Sequence, residues 1–158
     1  MFRRVLCAAV VAAAAAGLAV AAEPTKIELK DFKFKPKNEG TPDDLFGFNE
    51  GENKLFLYAH GTAYVEVKVP EDGEYTLTIE ASSEEAKGEK AKFKLTVGGN
   101  VVEKSFELKQ TDAKEYPFPA KLKKGAQKLE IEFLNDLYKE GEYDLNLYIH
   151  AVKLEKKK

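Results

Sequence analysis

From Glu23 onward, apolar and polar residues alternate in short runs separated by Gly, Pro, Asn and Asp, which is the period of half-buried strands and not of helices. Tyr64–Val69 places Val65, Val67 and Val69 on one face and Glu66 and Lys68 on the other. Pro70-Glu71-Asp72-Gly73 turns the chain, and Glu74–Glu80 runs back with Tyr75, Leu77 and Ile79 inward. Ala91–Val97 follows the same rule, and Gly98-Gly99-Asn100 joins it to Val101–Leu108 as a hairpin. Further strands are expected at Ile27–Phe34, Leu55–Tyr58, Lys128–Leu134 and Leu145–Leu154. Lys35–Asn53, rich in Pro, Gly, Asn, Asp and Glu, reads as a long loop, and Ser82–Lys90 as an exposed polar connection. About eight strands, each with one face to bury, predict an all-β fold: a two-sheet antiparallel β-sandwich of jelly-roll type in a single domain.

The N-terminus breaks the pattern. Met1-Phe2-Arg3-Arg4 precedes an apolar, Ala-rich run from Val5 to Ala22 that ends in the small residues Ala19-Val20-Ala21-Ala22 before Glu23-Pro24. These are the parts of a secretory signal peptide, so residues 1–22 are expected to be a cleaved leader and residues 23–158 the working domain, secreted or periplasmic. A membrane anchor is the other reading. A run of ~18 residues is marginal for a span, and it is followed by no Lys/Arg cluster. Cys7 sits too early in the run to be a lipid-attachment site.

Composition matters once that leader is set aside. The whole chain has 158 residues, 33% of them charged, with 25 basic and 27 acidic side chains. Residues 23–158 keep 23 lysines and all 27 acids, for a net charge of −4, and hold no Arg, Cys or Met. Without thiols there is neither a disulfide framework nor a cysteine zinc site, and without a basic excess there is no footprint for nucleic acid. The lysines interleave with Glu, as on solvated strand faces and blunted sheet edges. Tyr58, Tyr64, Tyr75 and Phe93 stand at alternating positions and read as core or cross-strand residues. A two-histidine site would need His60 and His150 to converge, and no sequence pattern brings them together.

Candidate chemistry concentrates between Phe133 and His150. Positions 136–144 carry Asp136, Glu140, Glu142 and Asp144 against the single Lys139, a local charge of −3 on a loop that must bend back on itself. Clustered hard oxygen donors suit calcium better than zinc or copper, although the spacing is not that of an EF-hand. Strand parity predicts Leu145, Leu147 and Ile149 toward the core and Asp144, Asn146, Tyr148 and His150 together on the opposite face. A merely solvated acidic loop beside an edge strand explains the same residues.

The run Phe133-Leu134-Asn135-Asp136, an aromatic-containing loop, and Asp144-Leu145-Asn146-Leu147-Tyr148-Ile149 resemble the F-x-N-D … D-R-N-L-Y-V-D signature of calcium-dependent xylan-binding modules, carbohydrate-binding module families 36 and 60. Val67–Leu77 and Leu95–Gly99 are similar to the corresponding steps of those galactose-binding-like sandwiches. The resemblance implies a non-catalytic secreted module in which calcium coordinates vicinal hydroxyls of a xylan-like polysaccharide. It assigns Asp136 and Asp144 as carboxylate ligands and the Tyr143 carbonyl as a backbone ligand. Asn146 would brace the loop or bond the sugar, and Tyr138 would offer an aromatic surface. Leu145 replaces the family's Arg and His150 its Asp. Two other classes remain in view. A glycosidase would need a carboxylate pair among Glu140, Glu142 and Asp144, set in a cleft. A structural or partner-binding domain would use the ion only as a staple.

Overall fold

Side chains alternate between buried and exposed along the longer strands, and this alternation folds the chain into two antiparallel sheets packed face to face. The computed structural model describes residues 24–158; the expected leader, residues 1–22, lies outside the described residues. The strands are, in chain order, β1 (Thr25–Ile27), β2 (Lys33–Pro36), β3 (Phe46–Asn49), β4 (Lys54–Leu57), β5 (Gly61–Val69), β6 (Gly73–Ser83), β7 (Glu85–Ala86) and β8 (Glu89–Lys90). Then follow β9 (Lys92–Val97), β10 (Asn100–Glu107), β11 (Lys114–Leu122), β12 (Gly125–Phe133), β13 (Leu137–Lys139), β14 (Tyr143–Leu145) and β15 (Leu147–Lys156). The first sheet runs β11-β6-β15-β4-β3, with β1 also paired to β15; the second runs β10-β9-β12-β5-β2. β13–β14 and β7–β8 are small separate hairpins. The all-β antiparallel sandwich anticipated from the alternation is therefore present. Among the described residues no helix is long and apolar enough to cross a membrane.

The inward faces meet in one core. Phe93, Leu129, Ile131 and Phe133 from the second sheet and Leu55, Leu77, Ile79 and Leu147 from the first are almost fully buried, which stabilises by roughly 1.5–3 kcal/mol per large side chain. Phe93 meets Phe118 edge-on across the sheets at 5.8 Å between ring centres, and Phe106 meets Tyr116 at 4.9 Å, closing that end of the sandwich. Tyr75 and Phe93 lie in this core as expected. Tyr64 lies on the outer face of β5 under the Lys128 ammonium, and Tyr58 stays 37% exposed while packing on Phe56 and Tyr148.

Several elements differ from the expectation. The strand expected over Ile27–Phe34 is broken by a 3-10 turn at Leu29–Asp31, because β1 belongs to one sheet and β2 to the other. The expected loop Lys35–Asn53 contains β3, an edge strand on which Gly47 faces Phe56. A Cβ at Gly47 would stand 2.6 Å from the Phe56 ring, so this glycine permits close packing and does not mark a turn. Ser82–Lys90 is not simply exposed. β6 continues to Ser83, which is buried, and β7–β8 then turns through Lys87 and Gly88, both at positive φ, with Ala86 buried beneath. β11 lies outside the expected strands and carries Pro117 and Pro119. Both prolines point outward on an edge strand, where a missing N–H costs no ladder hydrogen bond.

Candidate functional site

β12 ends at Phe133 in the core, and the chain leaves the second sheet through Leu134, Asn135 and Asp136. Asn135 is tied to the start of β9. Its Oδ1 accepts the Lys92 N–H at 2.6 Å, and its Nδ2 donates to the Lys90 carbonyl at 3.0 Å and to the Glu89 carboxylate at 3.4 Å. The Leu134 N–H donates to the Lys92 carbonyl at 2.9 Å. On the other side His60 Nε2 lies 3.1 Å from the Asp136 backbone nitrogen, which donates to it, and 3.0 Å from the Leu134 carbonyl.

The chain then forms the β13–β14 hairpin. Its loop is Glu140-Gly141-Glu142, with Gly141 at φ 73°, the left-handed conformation that three-residue hairpin loops require. The Glu142 N–H closes the turn onto the Lys139 carbonyl at 3.0 Å, and the Lys139 ammonium pairs with the Glu142 carboxylate. The register sets Tyr138 opposite Asp144 and Leu137 opposite Leu145, and Asp136 and Asn146 are the residues just outside the paired segment on its two legs. Leu145 and Leu147 are fully buried, so the hairpin is rooted in the core where it rejoins the first sheet.

Asn146 departs from the parity expected for it. It lies between β14 and β15 and is only 5% exposed, whereas Asp144 is exposed, so the two do not share a solvated face. The break in pairing at the strand junction lets three successive side chains, Leu145 to Leu147, turn inward. Tyr148 and His150 do keep the outer face, both half-buried. The Asn146 N–H donates to Glu84 Oε2 at 3.2 Å, and Glu84 Oε1 accepts the Tyr148 hydroxyl at 2.7 Å. Burial first, and then that carboxylate, push the Tyr148 phenol far above its ordinary pKa.

Two oxygens in this region have no partner. Asp136 Oδ1 and Asn146 Oδ1 are both buried without a hydrogen bond. A buried acceptor left alone costs about 1–3 kcal/mol, more when it is charged. Burial raises the Asp136 carboxyl above the usual aspartate range; the charge of Asp144 adds to that shift and His60 opposes it. Asp136, Asp144 and Asn146 are thus drawn to the base and one leg of a single hairpin. Tyr138 stands 65% exposed on the other leg, and Tyr143 is half-buried with the Lys87 ammonium 4.8 Å from its ring centre. Glu140 and Glu142 are exposed at the tip. Two depressions of about 450 Å³ each lie elsewhere: one is lined by Tyr64 and Lys128, the other by Val101 and Leu122. His60 and His150 do not form a pair, since His150 Nε2 is instead 2.7 Å from Ser82 Oγ.

His60 and Glu84 were missed by sequence reasoning. Each reaches the hairpin across more than 60 residues of chain, and neither sits in a local pattern that could have pointed there.

The sequence model of the CBM60 family, the Ca-dependent, xylan-binding carbohydrate-binding modules, matches residues 76–158, which is more than half of the chain and includes the whole acidic hairpin. The chain belongs to CBM60. Solved structures share the fold of this CBM60 domain. The CBM36-1 domain of a multidomain xylanase from the hindgut metagenome of Trinervitermes trinervoides superposes with a TM-score of 0.64 at 14% identity, covering 86% of this chain and 99% of that one. A CBM36 module solved in complex with calcium and xylotriose gives 0.56 at 19% identity, over 84% and 99% of the two chains. A family 35 module from Clostridium thermocellum gives 0.59 at 16% identity, over 86% and 100%. Among proteins of curated function, none matches the CBM60 chain by sequence.

The residues present suit the ion that the family name implies. Two orphaned, buried oxygens and a nearby carboxylate form an all-oxygen donor set, the kind calcium takes in loosely defined geometry. Among the described residues no three His, Cys, Asp or Glu side chains gather into a metal cluster, so an ion here would also draw on amide and backbone oxygens.

Proposed function

We propose that this CBM60 domain is a secreted, non-catalytic module that binds a neutral, xylan-like polysaccharide with the help of one calcium ion at the β13–β14 hairpin. The observation that carries the reading is the pair of unpartnered oxygens, Asp136 Oδ1 and Asn146 Oδ1, at the base of the hairpin. Asp136 and Asp144 would hold the ion with the Tyr143 carbonyl, and the ion would supply a site for vicinal sugar hydroxyls. Asn146 is buried too deeply to meet a polymer directly, which supports a bracing or ligating role over sugar contact. Tyr138, exposed opposite Asp144, offers the ring against which a sugar would pack. The exposed residues 138–142 leave the hairpin accessible to a polymer, and the leader-like residues 1–22 support export.

The test is affinity electrophoresis in gels containing xylan or other plant polysaccharides, with calcium and then with a chelator. Retention is expected with calcium only, and Asp136→Ala and Asp144→Ala are each expected to lose it. Retention unchanged by the chelator or by either substitution sinks the proposal. The burial of Asn146 at the root of the hairpin also favours a second reading, an ion that staples the hairpin with no sugar affinity. That reading predicts that chelation lowers thermal stability while no polysaccharide is retained.

A further inference from the structure

The register that pairs Gly61 with Phe133 carries on to set His60 beside Leu134, and the ring reaches one residue further. His60 Nε2 is 3.0 Å from the Leu134 carbonyl oxygen and 3.1 Å from the Asp136 nitrogen, so the imidazole spans the peptide units on both sides of Asn135. The histidine is itself held in place. Its carbonyl accepts the Lys37 N–H at 3.0 Å, and its ring lies 6.2 Å from that of the buried Phe133. From the opposite side, the Leu134 N–H and the Asn135 side chain tie the same segment to Lys90 at the end of β8 and Lys92 at the start of β9. The segment that delivers Asp136 is therefore gripped from both sides, while the carboxylate beyond it has a buried oxygen and no partner.

We infer that His60 is a positioning residue for Asp136: through Nε2 it fixes the backbone of residues 134–136 so that the Asp136 carboxylate stands ready before any ion arrives. This rests on the calcium reading above. A ring nitrogen can serve one of its two neighbours at a time, accepting from the Asp136 N–H as the Nδ1–H tautomer or donating to the Leu134 carbonyl as the Nε2–H tautomer. Either bond restrains a peptide unit next to Asn135, on the segment that delivers Asp136, so the role does not depend on the tautomer. Groups that orient a metal's ligands without touching the metal commonly govern affinity by 10–100-fold, because a ligand free to swing loses entropy on binding.

The experiment is calorimetric titration with calcium alone, set beside urea unfolding in chelator. His60→Phe keeps a ring against Phe133 and removes the nitrogens, and is expected to weaken calcium binding by about 10–100-fold. His60→Gln, whose amide can both donate and accept at that reach, is expected to recover most of the loss. A His60→Phe variant that is less stable in chelator yet binds calcium as tightly as the original overturns the inference, since the role would then be structural only. Asp136→Asn is the control. If it keeps full calcium affinity, the calcium reading falls and this inference with it; if only His60→Phe keeps it, the inference alone falls. Should His60→Phe not fold, nuclear magnetic resonance on the unmodified chain decides. A scalar coupling is expected across a hydrogen bond from His60 Nε2 to the Asp136 amide nitrogen or the Leu134 carbonyl carbon, and absence of both overturns the inference.

Discussion

Replacing Asp136 by Asn should reverse the order of stability between calcium and chelator. Without an ion, the native state keeps a partly desolvated carboxylate with one oxygen unpartnered and the Asp144 charge nearby. Such a group costs about 1–3 kcal/mol, and removing its charge while keeping its shape should return on the order of 1 kcal/mol. For a domain of this size, 1 kcal/mol moves the melting temperature by about 3–5 °C, so Asp136→Asn should melt a few degrees above the original in chelator. With calcium the order inverts. An ion that binds only the native state at a hundred times its dissociation constant stabilises by about 2.7 kcal/mol, or roughly 8–13 °C, and the variant should lose most of that gain. The assay is differential scanning calorimetry of both proteins, each with excess chelator and with graded calcium. A variant that melts below the original in chelator and still gains as much from calcium refutes the placement of the ion beside Asp136.

Two further outcomes follow from the same geometry. Burial holds the His150 imidazole below its ordinary pKa, so the unfolded chain binds the proton first as the pH falls below about 6.5. Its contribution is present above the unfolded pKa and is lost as the pH falls through the lower, folded one; urea midpoints between pH 7.5 and 5.5 should therefore fall less in His150→Gln than in the original, and equal slopes would count against the assignment. Phe93→Ala should destabilise by about 3–5 kcal/mol in chemical unfolding, because the ring is fully buried at the crossing of Phe106 and Phe118 and leaves a cavity between the sheets. A loss below about 1 kcal/mol would mean that the core can collapse around the gap.

The long strands were legible because alternation needs no knowledge of partners: Val65, Val67 and Val69, or Leu129, Ile131 and Phe133, face inward whichever strand lies beside them. The chain also marked its first change of sheet. Apolar residues sit at odd positions through Ile27 and Leu29 and at even positions from Phe32 and Phe34, and the 3-10 turn falls where the parity changes. β11 was hidden because prolines argue against a central strand, and only the topology shows that it is an edge. At the site, Asp136 and Asp144 could be singled out from local charge and motif. The burial of Asn146 could not, since it depends on a break in pairing between β14 and β15. His60 and Glu84 depend on the packing of distant turns, which no window along the chain contains.

The pairing of β1 with β15 has a practical consequence for how the molecule sits on a support. Thr25 lies beside Leu154, whereas the acidic hairpin precedes Leu147 at the other end of the same strand, about 24 Å away at the usual strand rise. A tether joined before Thr25 or after Lys158 therefore leaves from the pole opposite the hairpin. Chains anchored by either end on a bead, a sensor chip or a neighbouring fold would all stand the same way up, with the hairpin facing the solution.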